Sequence, residues 1–384
     1  MSVAVTVTLD AEVAVIGVGT VGSMLMWQLG TRGVSAIGFE RHAPGHDRGA
    51  VGGETRLFRM AYAEGPQYAH LLRSALNCWR ELERESGTEL LVQCGGLAIG
   101  SAAGRHVGQV LASAAAADVP VELLNHDQAA QRYPQHRLLD DEVAVLDTQA
   151  GFLRCEPAVL AATALAEQRG AAVLRYTDVD TVLDNGDHIE IRAKDAAWRV
   201  REAVVCAGSW TDRLLPTGWD RLLQPRRVRL SWFAARDPAM YTPDRFPIFI
   251  RQTGRRHFYG APSIDGISIK VAGLTTSHAV DDPDRIERRH SQEELVAESA
   301  MVRDLLPGLH PDPVRTDALT DMFTADGTPF VGRIAAGSRL RIASGFSGHG
   351  FKYAPALAAV VAESVASGTD TPLAFMSPIR LGRI

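Results

Sequence analysis

The chain has 384 residues, of which 46% are hydrophobic and 22% are charged, and its formal net charge is −5. This length exceeds one ordinary core and predicts two globular domains. The acidic balance, without a long basic run, argues against nucleic acid as a partner. No apolar run approaches the ~20 residues needed to span a bilayer. The short apolar segment from Met1 to Leu9 lacks the basic flank and cleavage site of a signal peptide.

Four cysteines, Cys78, Cys94, Cys155 and Cys206, lie far apart in the sequence. They form no CxxC pair, which disfavours zinc, and we predict no bound metal. A long chain with few, scattered cysteines is typical of a reducing compartment. We therefore predict a cytoplasmic protein in which these thiols are small, buried side chains.

The N-terminal segment predicts a βαβ unit. Glu12 to Ile16 is an apolar strand, a helix runs from about Val21 to Thr31, and Gly33 ends it. Val34 to Glu40 forms the next strand. Two strands joined by a helix imply a parallel sheet that helices cover.

The rest of the chain predicts further helices, short strands and a second kind of sheet. Helices are predicted over Pro66 to Glu85, Pro157 to Arg169, Ser291 to Leu305 and Phe351 to Ser367, and strands over Ala172 to Tyr176, Ile189 to Ala193 and Glu202 to Cys206. Between Arg226 and Val271, the residues Val228, Leu230 and Trp232 alternate with polar ones, which is typical of a half-buried strand. We predict an α/β protein in which an α+β domain, built on an antiparallel sheet, is inserted into a Rossmann-type domain.

A dinucleotide-binding motif lies between the first strand and helix. In Gly17-Val-Gly19-Thr-Val-Gly22, the first glycine allows a tight turn, the second lets a pyrophosphate approach, and the third lets the helix pack on the strand. The N-terminus of the helix faces the phosphates. Glu40, 18 residues after Gly22, is placed to accept a ribose hydroxyl. The motif does not separate FAD from NAD, but an acid at this position argues against NADP.

Four further segments carry a family resemblance. They are His46 to Gly65 with the run Gly-Glu-Thr-Arg56-Leu-Phe-Arg59, Gly208-Ser-Trp210, Phe258-Tyr-Gly-Ala-Pro-Ser263 followed by Lys270, and Gly345-Phe-Ser-Gly-His-Gly-Phe-Lys352. Together they resemble the monomeric sarcosine oxidase family, which includes N-methyltryptophan oxidase and is related more distantly to glycine oxidase and D-amino-acid oxidase. The resemblance covers the chain from Val13 to about Leu357.

The resemblance implies an FAD-dependent amine oxidase of the CH–NH group. A hydride would pass from the carbon next to nitrogen to flavin N5, the imine would hydrolyse, and O2 would be reduced to H2O2. It implies that residues 1–90, 147–220 and 318–384 form the FAD-binding domain and that residues 91–146 and 221–317 form the substrate domain. A small-molecule amine and O2 are the expected partners, and the protein is expected to be a monomer.

The resemblance also implies which residues contact the cofactor. The expected set is Gly17, Gly19, Thr20, Val21, Gly22, Glu40, Arg41, Thr55, Arg56, Val179, Gly208, Trp210, Gly345, Gly348, His349, Gly350, Phe351 and Lys352. Arg56 matches a position near the flavin ring, where a cation stabilises negative charge on the reduced cofactor. We expect His349 to shape the backbone and not to act as a general base. A core position is the alternative for Trp210.

Arg59 and Lys352 match the family positions that bind the substrate carboxylate, and a planar guanidinium suits both carboxylate oxygens. The alternative for Arg59 is a surface ion pair with Glu54 or Glu64. Lys270 matches the lysine credited in the family with activating O2. Its alternation with Ile269 and Val271 fits a polar cavity or open solvent. Tyr259 matches an aromatic residue of the substrate cavity, and a packed core tyrosine is the alternative.

Two departures from the family pattern concern the cofactor link and the cavity. Leu319 stands at the position we align with the flavin-linking cysteine, and no cysteine follows Cys206, so we predict non-covalent FAD. Leu274 replaces a cavity histidine, and Ile250 replaces a longer methionine. A less polar pocket favours a bulky apolar N-substituted glycine over sarcosine, and its oxidation would release glyoxylate and a free amine.

Several other functions remain open at this point. They are a glycine or D-amino-acid oxidase acting on primary amines, a flavin dehydrogenase with another electron acceptor, an NAD-dependent dehydrogenase and a non-catalytic flavin-binding protein. An NAD enzyme would leave the Gly345 to Lys352 segment without a role. Retention of Arg59, Lys270 and Lys352 argues against a binding protein without activity.

Overall fold

Three β-sheets organise the computed structural model, which describes residues 8–62, 64–273 and 277–381. The strands are β1 (Ala11–Ile16), β2 (Ala36–Phe39), β3 (Thr55–Phe58), β4 (Leu91–Val92), β5 (Gly96–Ser101), β6 (Val121–Leu124), β7 (Glu142–Asp147), β8 (Gly151–Arg154), β9 (Ala172–Leu174), β10 (Thr181–Asp184), β11 (Ile189–Ala193), β12 (Ala196–Val205), β13 (Gln224–Ala235), β14 (Ile248–Thr253), β15 (Arg256–Ala261), β16 (Ser268–Gly273), β17 (His278–Ala279), β18 (Leu309–Phe323), β19 (Phe330–Arg333) and β20 (Leu340–Ser344). The helices are α1 (Thr20–Thr31), α2 (Ala69–Ser86), α3 (Arg105–Ala116), α4 (His126–Arg132), α5 (Cys155–Gln168), α6 (Gln292–Leu305) and α7 (Ala354–Ala366).

The first sheet has the order β10-β11-β12-β1-β2-β9, with β20 beside β12 and β19 beside β20. The pairs β12–β1, β1–β2, β2–β9 and β12–β20 are parallel. Helices α5 and α7 pack against α1. Val13, Val15 and Ile16 are buried, as a parallel strand covered on both faces requires. This is the predicted Rossmann-type arrangement.

The second sheet has the order β17-β13-β16-β15-β14-β5-β7-β6, and β18 pairs with β13. It is antiparallel, as predicted, except that β14 runs parallel to β5. A third, small sheet contains β3, β8 and β4. Strand β3 carries Thr55 and Arg56.

The polar face of β13 differs from the half-buried strand that its alternation predicts. Arg227, Arg229 and Ser231 are all buried. Helix α6 covers this face and supplies carboxylates: Glu294 lies 2.9 Å from Arg227 Nη1, and Glu298 lies 3.1 Å from Arg229 Nη1. Buried charges are tolerated when they are paired, so both faces of this strand lie inside the protein.

The expected boundary between residues 317 and 318 falls inside one strand. Strand β18 pairs with β13 from Leu309 to Phe323, so all of it belongs to the second sheet. We propose that the substrate domain ends at residue 323. The other boundaries of the proposed division stay as predictions.

Candidate active site

A first cavity of about 340 Å³ opens at the carboxyl ends of the parallel strands. This is where open α/β sheets bind ligands. Its walls include many residues of the predicted cofactor set: Gly17, Gly19, Thr20, Val21, Glu40, Arg41, Val179, Gly208, Trp210 and Gly345. The residues are scattered from 17 to 345 in sequence, and the fold brings them together along one cleft.

The glycine-rich turn has the geometry that its sequence predicts. Gly17 has φ +90°, and a Cβ at Gly22 would lie 1.8 Å from the Gly17 carbonyl oxygen. Gly22 lines neither cavity and lets α1 pack closely on β1; its contact with the cofactor stays a prediction. A Cβ at Gly19 would meet only Val51 Cγ2, at 3.7 Å, so space remains beside this residue.

Glu40 is buried at the end of β2 and forms several hydrogen bonds. Its oxygens accept from the backbone N–H groups of Val18 and His42, both at 2.9 Å. Burial raises the pKa of Glu40. The hydrogen bond with His46, the backbone N–H donors and the electrostatic effect of His46 together outweigh burial, so the pKa of Glu40 is lowered overall. A carboxylate held in this way can still accept a ribose hydroxyl, because each oxygen has two lone pairs.

A polar cluster closes one side of the first cavity. Arg41 lies 2.7 Å from Asp284, and Trp210 Nε1 donates to the same carboxylate at 2.9 Å. The Arg41 guanidinium is 5.9 Å from the centre of the Trp210 ring. Trp210 therefore belongs to the cavity wall, which the core alternative did not predict.

A second cavity of about 490 Å³ adjoins the first. The two cavities share the lining residues Thr20, Val21, Ala50, Asp321 and Phe346, so they form one continuous cleft. Among the predicted residues, the second cavity is lined by Arg56, Arg59, Ile250, Tyr259, Leu319, Gly348, His349, Gly350, Phe351 and Lys352. Leu274 lies outside the described residues.

Arg56 lies in the wall of the second cavity and is held by backbone carbonyls. It donates to the oxygens of Ala50 and Gly52 at 2.8 and 2.7 Å, and to Thr55 at 2.8 Å. Burial lowers the pKa of Arg56, but the neighbouring Cys155 and Tyr259 raise it and the net shift is upward. A permanent, fixed positive charge therefore faces the cleft.

Lys270 lies behind this wall and is 3% exposed. Its ammonium donates to the Gly53 oxygen at 3.0 Å and to the Thr55 oxygen. Burial, and then the neighbouring Arg56 charge, lower the pKa of Lys270 to about 7. Lys270 is therefore neither exposed to solvent nor part of the surface of either cavity. It is a buried cation beside the loop that carries Arg56.

Arg59 and Lys352 both line the second cavity, and both lie over the ring of Tyr62. The Lys352 ammonium donates to the His349 oxygen at 2.8 Å and lies 4.7 Å from the centre of the Tyr62 ring. Burial and Arg59 lower the pKa of Lys352 to about 7. Arg59 pairs with Glu64 at 3.2 Å, and its Nε is buried without a partner among the described residues. Arg59 thus forms the ion pair with Glu64 that was the alternative to substrate binding, but both residues line the second cavity and do not lie on the open surface.

His349 is fixed by three contacts. Its Nδ1 lies 2.7 Å from the Tyr62 hydroxyl and 3.1 Å from that of Tyr353, while Nε2 lies 2.8 Å from the Gly327 oxygen. The carbonyl requires a proton on Nε2, so Nδ1 accepts from the hydroxyls. Burial and Lys352 lower the pKa of His349 to about 4. A neutral, fully engaged ring supports the expected role in shaping the backbone.

Some cavity residues were not predicted from the sequence. Asp321 lines both cavities, accepts from the Gly348 N–H at 2.7 Å and has its pKa raised to about 6 by burial. His106, Gln109, Gln252 and His257 line the second cavity. No motif marks these positions: His106 and Gln109 lie on α3, while Gln252 and His257 lie on the distant β14–β15 hairpin. Thr55 is predicted to contact the cofactor, but it lines neither cavity. Its carbonyl oxygen accepts hydrogen bonds from Arg56 and Lys270.

The residues present fit a dinucleotide cofactor. Among the described residues, no side chain caps the N-terminus of α1 and no acid lies in its first turn, so its N–H groups are free to bind phosphate. The space beside Gly19 and the ionised Glu40 are placed for a pyrophosphate and a ribose. These residues would hold FAD along the first cavity.

Comparisons with known proteins agree with this geometry. The model of the FAD-dependent oxidoreductase family matches residues 12–364. Monomeric sarcosine oxidase of Streptomyces avermitilis is 30% identical over 96% of this chain and 97% of its own, and N-methyl-L-tryptophan oxidase of Salmonella typhi is 27% identical over 97% and 98%. The open form of NikD, an amino acid oxidase essential for nikkomycin biosynthesis, is 21% identical, covers 97% of this chain and 98% of its own, and superimposes with a TM-score of 0.85.

The chain is therefore an FAD-dependent oxidoreductase, and FAD is favoured over NAD as its cofactor. Within this class it belongs to the family of monomeric sarcosine oxidase and N-methyltryptophan oxidase, and it is an amine oxidase that acts on CH–NH groups. The predicted family and fold class are confirmed. Within residues 8–62, 64–273 and 277–381, no helix has the length and apolar character needed to cross a bilayer.

Replacing Gly19 by alanine should weaken FAD binding at least about tenfold, because the methyl group would occupy the space that a pyrophosphate needs. The fold should persist, since the added Cβ meets only Val51 at ordinary contact distance. The measurements are FAD titration of the apoprotein and its thermal midpoint. Gly108→Ala is the matched control, because nothing lies within 4 Å of its Cβ and it is far from the turn. Unchanged FAD affinity in Gly19→Ala would contradict the assignment.

Proposed function

We propose that the protein oxidises a secondary, N-substituted amino acid and uses O2 as the electron acceptor. The observation that carries the proposal is the placement of Arg59 and Lys352 in a cavity continuous with the cofactor cleft. The amine would lose two electrons and two protons, O2 would gain them as H2O2, and water would hydrolyse the imine to a carbonyl compound and a smaller amine. FAD supplies the two-electron transfer when it is bound.

Arg59 and Lys352 would bind the substrate carboxylate. Each offers N–H donors on the same side of the cavity, and a carboxylate that bridges them would be positioned by two charged contacts. An anion would also favour the charged form of Lys352, whose pKa is lowered to about 7 by burial and Arg59. Fixing the carboxylate orients the neighbouring C–H and N–H bonds for reaction.

Arg56, in the lining of the second cavity, and Lys270, behind it, would supply further positive charge. Neither group needs to move, because backbone carbonyls hold both of them. Preorganised cations stabilise negative charge that develops during a reaction without paying for solvent reorganisation. Lys270 would act on O2 and Arg56 on the cofactor ring.

The middle of the second cavity supports an apolar N-substituent. Leu57, Leu230, Ile250, Tyr259 and Leu319 line it together. Ile250 and Tyr259 are cross-strand neighbours on β14 and β15, with 6% and 9% of their surfaces exposed. A hydrocarbon group placed here would leave water, which favours a bulky N-substituted glycine over sarcosine. Glyoxylate and a primary amine would be the products.

The test is anaerobic addition of N-substituted glycines to the purified holoenzyme while the visible flavin band is recorded, followed by admission of air. Bleaching by a bulky substrate and rapid recolouring in air would support the proposal. Faster reaction with sarcosine than with every bulky analogue would refute the substrate size. Bleaching by primary amines alone, or recolouring only with an artificial acceptor, would identify the glycine-oxidase or dehydrogenase alternative.

FAD should be released by acid precipitation, because Leu319 lines the second cavity and cannot form a thioether. The measurement is flavin absorbance in the supernatant and the pellet. Asp321, two residues along β18, faces the same cavity, so Leu319→Cys and Asp321→Cys form a matched pair. Acid-stable flavin in one of them would show which position faces the cofactor. A yellow pellet from the unmodified protein would contradict non-covalent binding.

A further inference from the structure

Four polar side chains meet at the outer end of the second cavity: His106, Gln109, Gln252 and His257. His106 and Gln109 lie three residues apart in the first turns of α3, so they share one helix face. Gln252 and His257 are direct cross-strand neighbours on β14 and β15. The helix and the hairpin thus present two pairs of side chains to the same space.

The pairing of β14 with β15 gives the distance between these polar side chains and the apolar residues of the cavity. The next pair on the same face is Ile250 and Tyr259, two residues along each strand. Two residues of strand span roughly 7 Å. A substrate that passes the apolar pair would therefore reach the polar pair about five bonded carbon atoms beyond it, taking ~1.3 Å of advance per bond in an extended chain.

Two nitrogens in this group lack partners. His106 is 8% exposed, and its Nε2 and that of His257 are both buried without a hydrogen-bond partner among the described residues. The two rings lie 5.8 Å apart. A buried polar atom without a partner costs free energy, so both ring nitrogens are available to a ligand that offers them hydrogen-bond partners.

The charged residues of the cavity favour an anionic ligand. The cavity wall contains Arg56, Arg59 and Lys352, against Glu64 and Asp321. Glu64 is already paired with Arg59, and Asp321 lies at the junction with the first cavity. Burial, the neighbouring imidazole and Arg59 lower the pKa of His106 to about 4, so the ring is neutral and can donate one N–H to an anion, beside the positive charge of Arg59.

We propose that His106 and His257, with Gln109 and Gln252, form a second anion subsite that binds a carboxylate at the far end of the N-substituent. The proposal rests on the proposed function and deepens it: the substrate is a secondary amine with one carboxylate on Arg59 and Lys352, an apolar stem along Ile250 and Tyr259, and a second carboxylate at the histidines. The substituent is thus apolar in its middle and not at its end.

The experiment compares three N-substituted glycines with the holoenzyme: N-pentylglycine, the analogue whose terminal methyl is replaced by a carboxylate, and the corresponding primary amide. We expect kcat/KM for the carboxylate to exceed that for the pentyl compound by about tenfold or more, as a charge-assisted hydrogen bond contributes. In His106→Leu and His257→Leu the ratio of kcat/KM for the carboxylate to kcat/KM for N-pentylglycine should fall most of the way to one, and His257→Gln should retain part of the preference. His310→Leu, at an exposed histidine of β18, is the matched control.

Equal or better turnover of the pentyl compound, or an amide as good as the carboxylate, would overturn the subsite. So would a preference for the carboxylate that both histidine variants retain. If no amine bleaches the flavin, the proposed function fails, but dissociation constants for the three compounds, read from perturbation of the flavin spectrum, still decide the subsite. A variant that fails to fold is replaced by its partner, since the two histidines lie on different elements.

Discussion

Replacement of Arg59 by leucine is expected to lower kcat/KM about 10³-fold. The substitution removes a charge-assisted contact to the carboxylate, and a misplaced reacting carbon costs roughly 10²-fold more. It also leaves Glu64 without its partner at 3.2 Å. The measurement is the rate of anaerobic flavin bleaching against substrate concentration.

Two further variants separate charge from geometry at this position. Arg59→Lys keeps the charge but loses the planar fork, so its kcat/KM should lie between those of the unmodified enzyme and Arg59→Leu. Arg105→Leu removes one positive charge at an exposed position on α3 and should leave kcat/KM within about twofold. Equal activity of Arg59→Leu and the control would show that Arg59 does not bind substrate.

Replacement of Lys270 by methionine is expected to slow reaction with O2 about 10²- to 10³-fold, the cost of removing one preorganised electrostatic contact. Anaerobic bleaching by substrate should change only a few-fold, because Lys270 lines neither cavity. Stopped-flow mixing of the substrate-reduced enzyme with O2 measures the first rate. The same instrument without O2 measures the second.

Lys270→Gln distinguishes charge from support of the loop. Its amide can donate to the Gly53 and Thr55 oxygens but carries no charge. If charge matters, this variant reacts with O2 as slowly as Lys270→Met; recovery of the rate would assign the lysine a structural role.

In the unmodified enzyme the O2 rate should fall as pH rises through the lysine pKa of about 7, because the ammonium loses its proton. Both variants should lose this step.

The sequence determines the local parts of the fold well. The first βαβ unit was predicted within about two residues of β1, α1 and β2, because apolar runs and glycines act on neighbouring residues. Helix α6 begins directly after Ser291, where the sequence predicts a helix, and a capping box of Ser291 and Glu294 holds this end. Most of the cofactor set follows from the glycine motif and the family resemblance and lines the first cavity.

Long-range packing decided whether several polar side chains are buried or exposed, which the sequence pattern left open. The alternation around Lys270 allowed a cavity or solvent, but its partners, Gly53 and Thr55, lie more than 200 residues earlier and bury it. The polar face of β13 is buried because α6 brings Glu294 and Glu298 to its arginines. Neither outcome is encoded in neighbouring residues, since both depend on which elements pack together.

The amino-acid sequence by itself thus determined the family, the dinucleotide-binding motif and the cationic residues, because these reside in short segments with strong local constraints. Only the tertiary structure brought His106 of α3 and His257 of β15 within 5.8 Å of each other at the end of an apolar cavity. Neither histidine belongs to a motif, and their separation of 151 residues in sequence is bridged by the β5–β14 pairing. The chemistry of the substrate's far end is therefore a property of the packed fold.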